Sequence, residues 1–200
     1  MKNIAVILAG CGHLDGAEIR ESVLSLLYLD QQGAKVQCFA PDQAQFDVVD
    51  HRTGKPVGES RNVLTESARI ARGEIEPLSA LDVAAFDALV LPGGFGVAKN
   101  LSDLATKGAG ATVQADYQRI IREFHAQGKP IGAMCIAPAV LAAALSGVAA
   151  PTLTIGEDAG TAGVIAQFGR PISKAKATML WSISHTASQA AVPICAMMRL

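Results

Sequence analysis

A single cysteine, Cys135, stands where an apolar run gives way to an alanine-rich helical pattern, in the stretch KPIGAMCIAPAVLAAAL at residues 129–145. A residue at a strand-to-helix turn can project above a sheet, and the following helix directs amide N–H groups and a partial positive charge at it. Such a position stabilises a thiolate, so we expect Cys135 to be a nucleophile with a pKa below that of a free cysteine. Buried free cysteines are also common packing residues, and the local pattern alone leaves both roles open.

Two neighbouring glycines, Gly93 and Gly94, follow an apolar run that ends at Leu91. Glycine lets the backbone approach a reacting centre closely, so these amides are candidates to hold a developing oxyanion. A second glycine-containing turn, GCG at residues 10–12, does not continue as the dinucleotide fingerprint GxGxxG, because the next glycine is Gly16. We therefore expect no nucleotide cofactor.

The other cysteines are Cys11, Cys38 and Cys195, and none has the CxxC or CxxxC spacing of a metal site. The sequence therefore predicts no metal centre and no disulfide framework, and reduced thiols indicate a cytoplasmic protein. Cys38 lies inside a predicted strand, where we expect it to pack. Cys11 lies in a loop, where it can either be buried or line the site.

Length and composition predict one domain with one sizeable core. The chain has 200 residues, of which 50% are hydrophobic, and Lys+Arg 17 balance Asp+Glu 18. The charges are spread rather than blocked, which gives no reason to expect nucleic acid or a membrane as a partner. The opening MKNIAVILAG is too short to span a bilayer and has no cleavage motif, so it is interpreted as a buried strand.

Strand and helix patterns alternate along the chain. Strands are predicted at residues 2–9, 35–40, 84–91 and 130–134, and helices at residues 15–33, 62–71, 114–127 and 137–145. Continuous apolar strands in repeated βα units predict a parallel sheet that is covered on both faces. Ligands bind outside the carboxyl ends of such strands. This rule gathers residues 10–18, residues 92–99 and Cys135 at one edge.

Six blocks of sequence resemble the ElbB branch of the PfpI-type, class I glutamine-amidotransferase-like superfamily, which includes the parkinsonism-associated deglycases. They are ILAGCGHLDGAE, CFAPD, RNVLTESARIARGEIEPL, DALVLPGGFGVAKNLS, GKPIGAMCIAPAVL and TIGED, in the same order and over most of residues 1–170. The resemblance implies a flavodoxin-like three-layer α/β sandwich with a mostly parallel sheet and a cysteine nucleophile elbow. It also implies a homodimer.

The same resemblance implies a cofactor-independent glyoxalase that converts glyoxal or methylglyoxal to glycolate or lactate, an activity that partly reflects repair of glycated protein. By position, Cys135 is the nucleophile, Glu18 its acidic partner, and the N–H groups of Gly94 and Ile136 the oxyanion hole. The thiolate would add to the aldehyde, and Glu18 would move protons until a thioester forms that water releases. Without the resemblance, Glu18 could simply complement a helix dipole. The alternative function is a cysteine redox sensor or interaction protein linked to isoprenoid biosynthesis.

Two features depart from the family pattern. The only histidine after Cys135 is His185, which lacks the HxE spacing of a glutaminase, so we expect no glutamine hydrolysis. From residue 174 the chain, KAKATMLWSISHTASQAAVPICAMMRL, no longer resembles the family. We therefore assign residues 1–173 to the domain and residues 174–200 to an atypical tail, and we hypothesise a frame shift in its coding sequence, which gene sequencing would test.

Overall fold

Five parallel strands form the central sheet of the computed structural model, which describes residues 1–155 and 158–169. The described residues contain seven strands, five in this sheet and two outside it. In chain order, they are β1 (Asn3–Ile7), β2 (Lys35–Ala40), β3 (Val49–Asp50), β4 (Lys55–Pro56), β5 (Ile75–Pro77), β6 (Ala88–Leu91) and β7 (Ile131–Ala133). The order across the sheet is β5-β2-β1-β6-β7, and β3 and β4 form a separate antiparallel pair. The parallel sheet that the alternating pattern predicts is therefore confirmed.

Helices connect the strands and cover both faces of the sheet. They are α1 (Ile19–Gln31), α2 (Val63–Ala71), α3 (Phe95–Lys99), α4 (Leu104–Lys107), α5 (Ala115–Ala126), α6 (Ala137–Ala144) and α7 (Ala159–Gln167). Alternate residues of β1 enter two different hydrophobic clusters. Ile7 packs with residues of α5 and α6 on one face, whereas Val6 packs with α1 residues on the other. Both faces are buried, as expected for parallel strands with continuous apolar sequences.

Helix α1 differs from the pattern that predicts it. It begins at Ile19 instead of residue 15, because Glu18 is in an extended conformation and caps the helix. Its regularly spaced apolar side chains Ile19, Val23 and Leu27 are 45%, 46% and 50% exposed, whereas Ser22 is buried. Leu26, which belongs to the same predicted apolar pattern, packs against the cluster that contains Val6 and Leu29. The pattern therefore covers both the side that packs on the sheet and an exterior face formed by Ile19, Val23 and Leu27.

Two loops meet at the carboxyl edge of the sheet. The N–H of Phe95 donates to the carbonyl of His13 at 2.8 Å, and the N–H of Gly96 donates to the carbonyl of Gly16 at 2.9 Å. A buried side chain, Asn100, donates from its amide to the carbonyls of Ala9 and Asp15, which both lie in the segment after β1. The loop after β1 therefore rests directly on the loop after β6.

The atypical tail at residues 174–200, with His185 and Cys195, lies outside the described residues. The domain boundary at residue 173 and the frame-shift hypothesis therefore remain predictions. In the described part of the chain, no helix combines the length and the apolar character that crossing a membrane requires.

Candidate functional site: a cysteine elbow with a carboxylate partner

Cys135 occupies the tight turn between β7 and α6. Its φ is 55°, and only one other non-glycine residue in the described chain has a positive φ. Residues other than glycine adopt this left-handed conformation at a cost of roughly 1–3 kcal/mol, so it persists only where the surrounding structure imposes it. The next residue, Ile136, caps α6. The elbow that the sequence predicts is therefore present, and it holds the thiol above the sheet edge.

Backbone amides from two loops contact the sulfur. The N–H groups of Gly94 and Ile136 both donate hydrogen bonds to Cys135 Sγ. Gly93 lies so close that an added Cβ would overlap the Cβ of Cys135 and stand 2.8 Å from Glu21 Oε2, so this position requires glycine. The family resemblance implies that the amides of Gly94 and Ile136 are the oxyanion donors, and the structure brings both of them to the thiol.

The carboxylate beside the thiol belongs to Glu21. The Cys135 thiol is hydrogen-bonded to this carboxylate. The N–H of Gly93 donates to Glu21 Oε2 at 2.8 Å, which fixes the side chain from the other side. Glu21 thus links the helix after β1, the glycine loop after β6 and the elbow after β7.

Glu18, the predicted acidic partner, has a different position. One of its carboxylate oxygens accepts the backbone N–H of Glu21 at 2.7 Å, and the other pairs with Arg20 Nε at 3.1 Å. The proton-transfer role that the resemblance implies for Glu18 is therefore better suited to Glu21. The sequence shows an E-x-x-E spacing, which places Glu21 at the third helical position, one turn further along the helix, but this spacing does not say which glutamate reaches the thiol.

Burial, more than any charge, raises the pKa of the Cys135 thiol, and the negative charge of Glu21 raises it further. The amides of Gly94 and Ile136 act in the opposite direction but do not compensate. The expected depressed pKa is therefore wrong, because desolvation and a nearby carboxylate outweigh the helix amides. Burial also raises the pKa of Glu21, while the amide of Gly93 opposes this shift. Both shifts favour the uncharged form of each group, and the hydrogen bond between them places one shared proton between the thiol and the carboxylate.

The other cysteines in the described part of the chain, Cys11 and Cys38, have pKa values that are raised by causes other than Glu21. Burial raises the pKa of Cys11, and the charge that acts on it most is that of Glu66 in α2. Cys38 is buried in β2, and its burial raises the pKa to about 11. A thiol with so high a pKa is unreactive at neutral pH, in agreement with the predicted packing role.

Lysine and histidine side chains near the edge are occupied by other contacts. Lys99 Nζ lies 2.7 Å from Asp47 Oδ2 and donates to the carbonyl of Leu14 at 3.0 Å, so it ties two loops together. The ring of His13 meets that of His51 edge to face, with centroids 5.0 Å apart. Among the described residues, no three His, Cys, Asp or Glu side chains are grouped to hold a metal ion.

Comparison with known proteins identifies a family and several relatives. The model of the DJ-1/PfpI family matches residues 11–149. The chain is 49% identical over 176 residues to the human mitochondrial glutamine amidotransferase-like class 1 domain-containing protein 3, covering 83% of this chain and 65% of that protein. It is 48% identical over 156 residues to the rat mitochondrial ES1 protein homolog, covering 78% and 58%. The chain thus spans less than two thirds of the length of these relatives.

A solved structure shows the same fold at high identity. The isoprenoid biosynthesis protein with amidotransferase-like domain from Ehrlichia chaffeensis has a TM-score of 0.84 and 46% identity, over 90% of this chain and 81% of that one. The predicted flavodoxin-like α/β class is confirmed.

The predicted cytoplasmic location is wrong by comparison with the human and rat relatives, both of which are named mitochondrial. Cysteine spacing indicates reduced thiols only and does not separate one reducing compartment from another.

Proposed function

Since the chain belongs to the DJ-1/PfpI family, we propose that it is a glyoxalase-type enzyme that converts methylglyoxal or glyoxal to lactate or glycolate without a cofactor. The observation that carries this proposal is the contact of the Cys135 thiol with the Glu21 carboxylate beneath the amides of Gly94 and Ile136. A nucleophile, a base and two oxyanion donors are the groups that covalent aldehyde chemistry needs.

The proposed reaction starts with transfer of the Cys135 proton to Glu21. The thiolate adds to the aldehyde carbon, and the resulting oxyanion takes the N–H bonds that Sγ receives in the resting site. Proton transfer from Glu21 to this oxygen gives a hemithioacetal and restores the carboxylate. Glu21 then removes the proton from the former aldehyde carbon and delivers it to the oxygen of the neighbouring carbonyl, which gives an enediol. Glu21 next takes the hydroxyl proton from the sulfur-bearing carbon and delivers it to the neighbouring carbon, which produces a thioester and restores the carboxylate. Water hydrolyses the thioester, so the net change is addition of one water molecule.

The raised pKa of the thiol favours this enzyme over the alternative of a redox sensor. Sensor cysteines are oxidised as accessible thiolates of low pKa. Cys135 is half-buried, and its thiol keeps the proton until an acceptor takes it. Glu21 is that acceptor, and a catalytic cycle uses it in each turnover.

The same addition chemistry applies to aldehyde adducts on protein amines, so a deglycase activity belongs to the proposal. A link to isoprenoid biosynthesis rests only on the name of the Ehrlichia relative.

The direct test is formation of lactate from methylglyoxal by the purified protein, followed by NMR in deuterated water without glutathione. We expect lactate that carries deuterium at C2, because a proton held by a carboxylate exchanges with solvent. Lactate formation no faster than in buffer, from a protein that circular dichroism shows to be folded, would refute the proposal.

We also propose that the protein is a homodimer that associates through α1. Side chains on one face of this helix, Ile19, Val23 and Leu27, are about half exposed, and the neighbouring Leu24 is 39% exposed. A contiguous apolar stripe on a surface helix is typical of an interface.

Light scattering should therefore give a mass of twice the 20.7 kDa of one chain. The variant Val23→Glu should be monomeric, because it places a charge in the stripe. Val148→Glu is the matched control, since Val148 is 52% exposed and lies outside α1. A monomeric wild-type protein, or equal effects of the two variants, would argue against this interface.

A further inference from the structure

A ring of three hydrogen bonds connects Glu18, Glu21 and Gly93. The N–H of Glu18 donates to the carbonyl of Gly93 at 2.9 Å, and the N–H of Gly93 donates to Glu21 Oε2 at 2.8 Å. The N–H of Glu21 completes the ring by donating to Glu18 Oε2 at 2.7 Å. Both main-chain groups of Gly93 are therefore bonded to the start of α1.

The cap on α1 leaves the Glu21 carboxylate available for the thiol. In a capping box, the third helical residue reaches back to the N–H of the cap residue. Here the N–H of Glu18 is bonded to Gly93 instead, and the side chain of Glu21 turns to Gly93 and Cys135. The glutamate at the cap therefore fixes the backbone from which the reactive carboxylate extends.

Two opposite charges stand next to this carboxylate on its own helix. The Glu18 side chain is 14% exposed and pairs with Arg20, which is 66% exposed. The charge of Glu18 raises the pKa of Glu21, and the charge of Arg20 lowers it. Across from α1, the elbow contributes the Cys135 thiol and the glycine loop contributes the amide of Gly93.

We propose that Glu18 is a positioning residue that holds Glu21 against the thiol through the helix cap and, in balance with Arg20, determines whether Glu21 or Cys135 keeps their shared proton. This inference deepens the proposed function, because it concerns the same thiol and carboxylate. A negative charge beside Glu21 favours its protonated form and leaves the thiolate on Cys135. A positive charge beside Glu21 favours its carboxylate and leaves the proton on sulfur.

The test is the rate at which iodoacetamide alkylates Cys135 between pH 5.5 and 9.5, measured by mass spectrometry of the Cys135 peptide. At pH 7 we expect Glu18→Gln to slow alkylation about threefold, and Arg20→Gln to accelerate it about threefold, as expected for charges near a protein surface. Both variants break the same ion pair, so a purely structural role predicts changes in the same direction. Changes of the same sign in two folded variants, or no change in either, would overturn the inference.

Further variants keep the test decisive. If Glu18→Gln does not fold, Arg20→Gln and Arg20→Glu carry the test alone, because Arg20 is exposed, and alkylation should be faster in the second than in the first. Arg119→Gln is the matched control, since Arg119 pairs with Asp116 and Glu123 on α5 and should leave the rate unchanged. Opposite shifts without any lactate formation would support the role of Glu18 and refute the glyoxalase function. Lactate formation without these shifts would support the glyoxalase function and refute the role of Glu18.

Discussion

Replacing Cys135 by serine should reduce lactate formation from methylglyoxal by at least about a thousandfold, the scale on which loss of a covalent nucleophile is felt. A serine hydroxyl has nearly the shape of the thiol but stays protonated beside a carboxylate such as Glu21. The backbone of the elbow can keep its positive φ, because serine is no larger than cysteine. The folded structure should therefore survive while the chemistry is lost.

Cys11→Ser is the control for this experiment. Cys11 is also half-buried and also follows a strand at the carboxyl edge, but the charge that acts on it most is that of Glu66 and not of Glu21. Turnover of this variant should equal that of the wild-type protein. If Cys135→Ser retained more than a tenth of the wild-type lactate formation, Cys135 would not be the nucleophile. If Cys11→Ser lost as much activity as Cys135→Ser, the loss would not be specific to Cys135.

Glu21→Gln should lower turnover by about a hundredfold to ten-thousandfold, which is the usual contribution of a positioned general base. The glutamine side chain is the same size, and its amide oxygen can still accept the N–H of Gly93. It cannot accept the thiol proton or move a proton between the two substrate carbons. The measurement is kcat/KM for methylglyoxal, with circular dichroism to show that the variant is folded.

Glu18→Gln is the matched comparison, because it makes the same chemical change three residues earlier. Its loss of turnover should be only severalfold, since Glu18 acts through the position and charge of Glu21. We therefore expect a much larger loss of turnover in Glu21→Gln than in Glu18→Gln. A larger loss in Glu18→Gln than in Glu21→Gln would return the proton-transfer role to Glu18, as the family resemblance first implies.

Local sequence predicts most of the secondary structure at the site. The strand at residues 35–40 has the predicted bounds, and α6 is one residue shorter than the pattern indicates. The third predicted strand begins late, at Ala88, because residues 83–85 form a short 3-10 turn capped by Asp82. Short β5 is not predicted, since its three residues have no pattern that distinguishes them from a loop. Pairing with β2 creates this strand.

The carboxylate partner shows the limit of reasoning from sequence. Glu18 and Glu21 are both glutamates near the start of α1. Neither the residue type nor the spacing of three residues says which one reaches the thiol. The choice depends on where α1 begins and on which amide Gly93 offers to which residue. The pKa of Cys135 depends in the same way on burial and on Glu21, neither of which is visible at the elbow itself.

The sequence by itself determined the parallel α/β architecture, the elbow at Cys135 and the glycine amides beside it. These follow from hydrophobic periodicity, strand-to-helix turns and the conformational freedom of glycine, which are properties of neighbouring residues. Only the tertiary structure decided that Glu21 meets the thiol, that the thiol pKa is raised, and that Ile19, Val23 and Leu27 of α1 face outward. Each of these depends on contacts between segments far apart in the chain, where burial and hydrogen bonding set the energy of a charge.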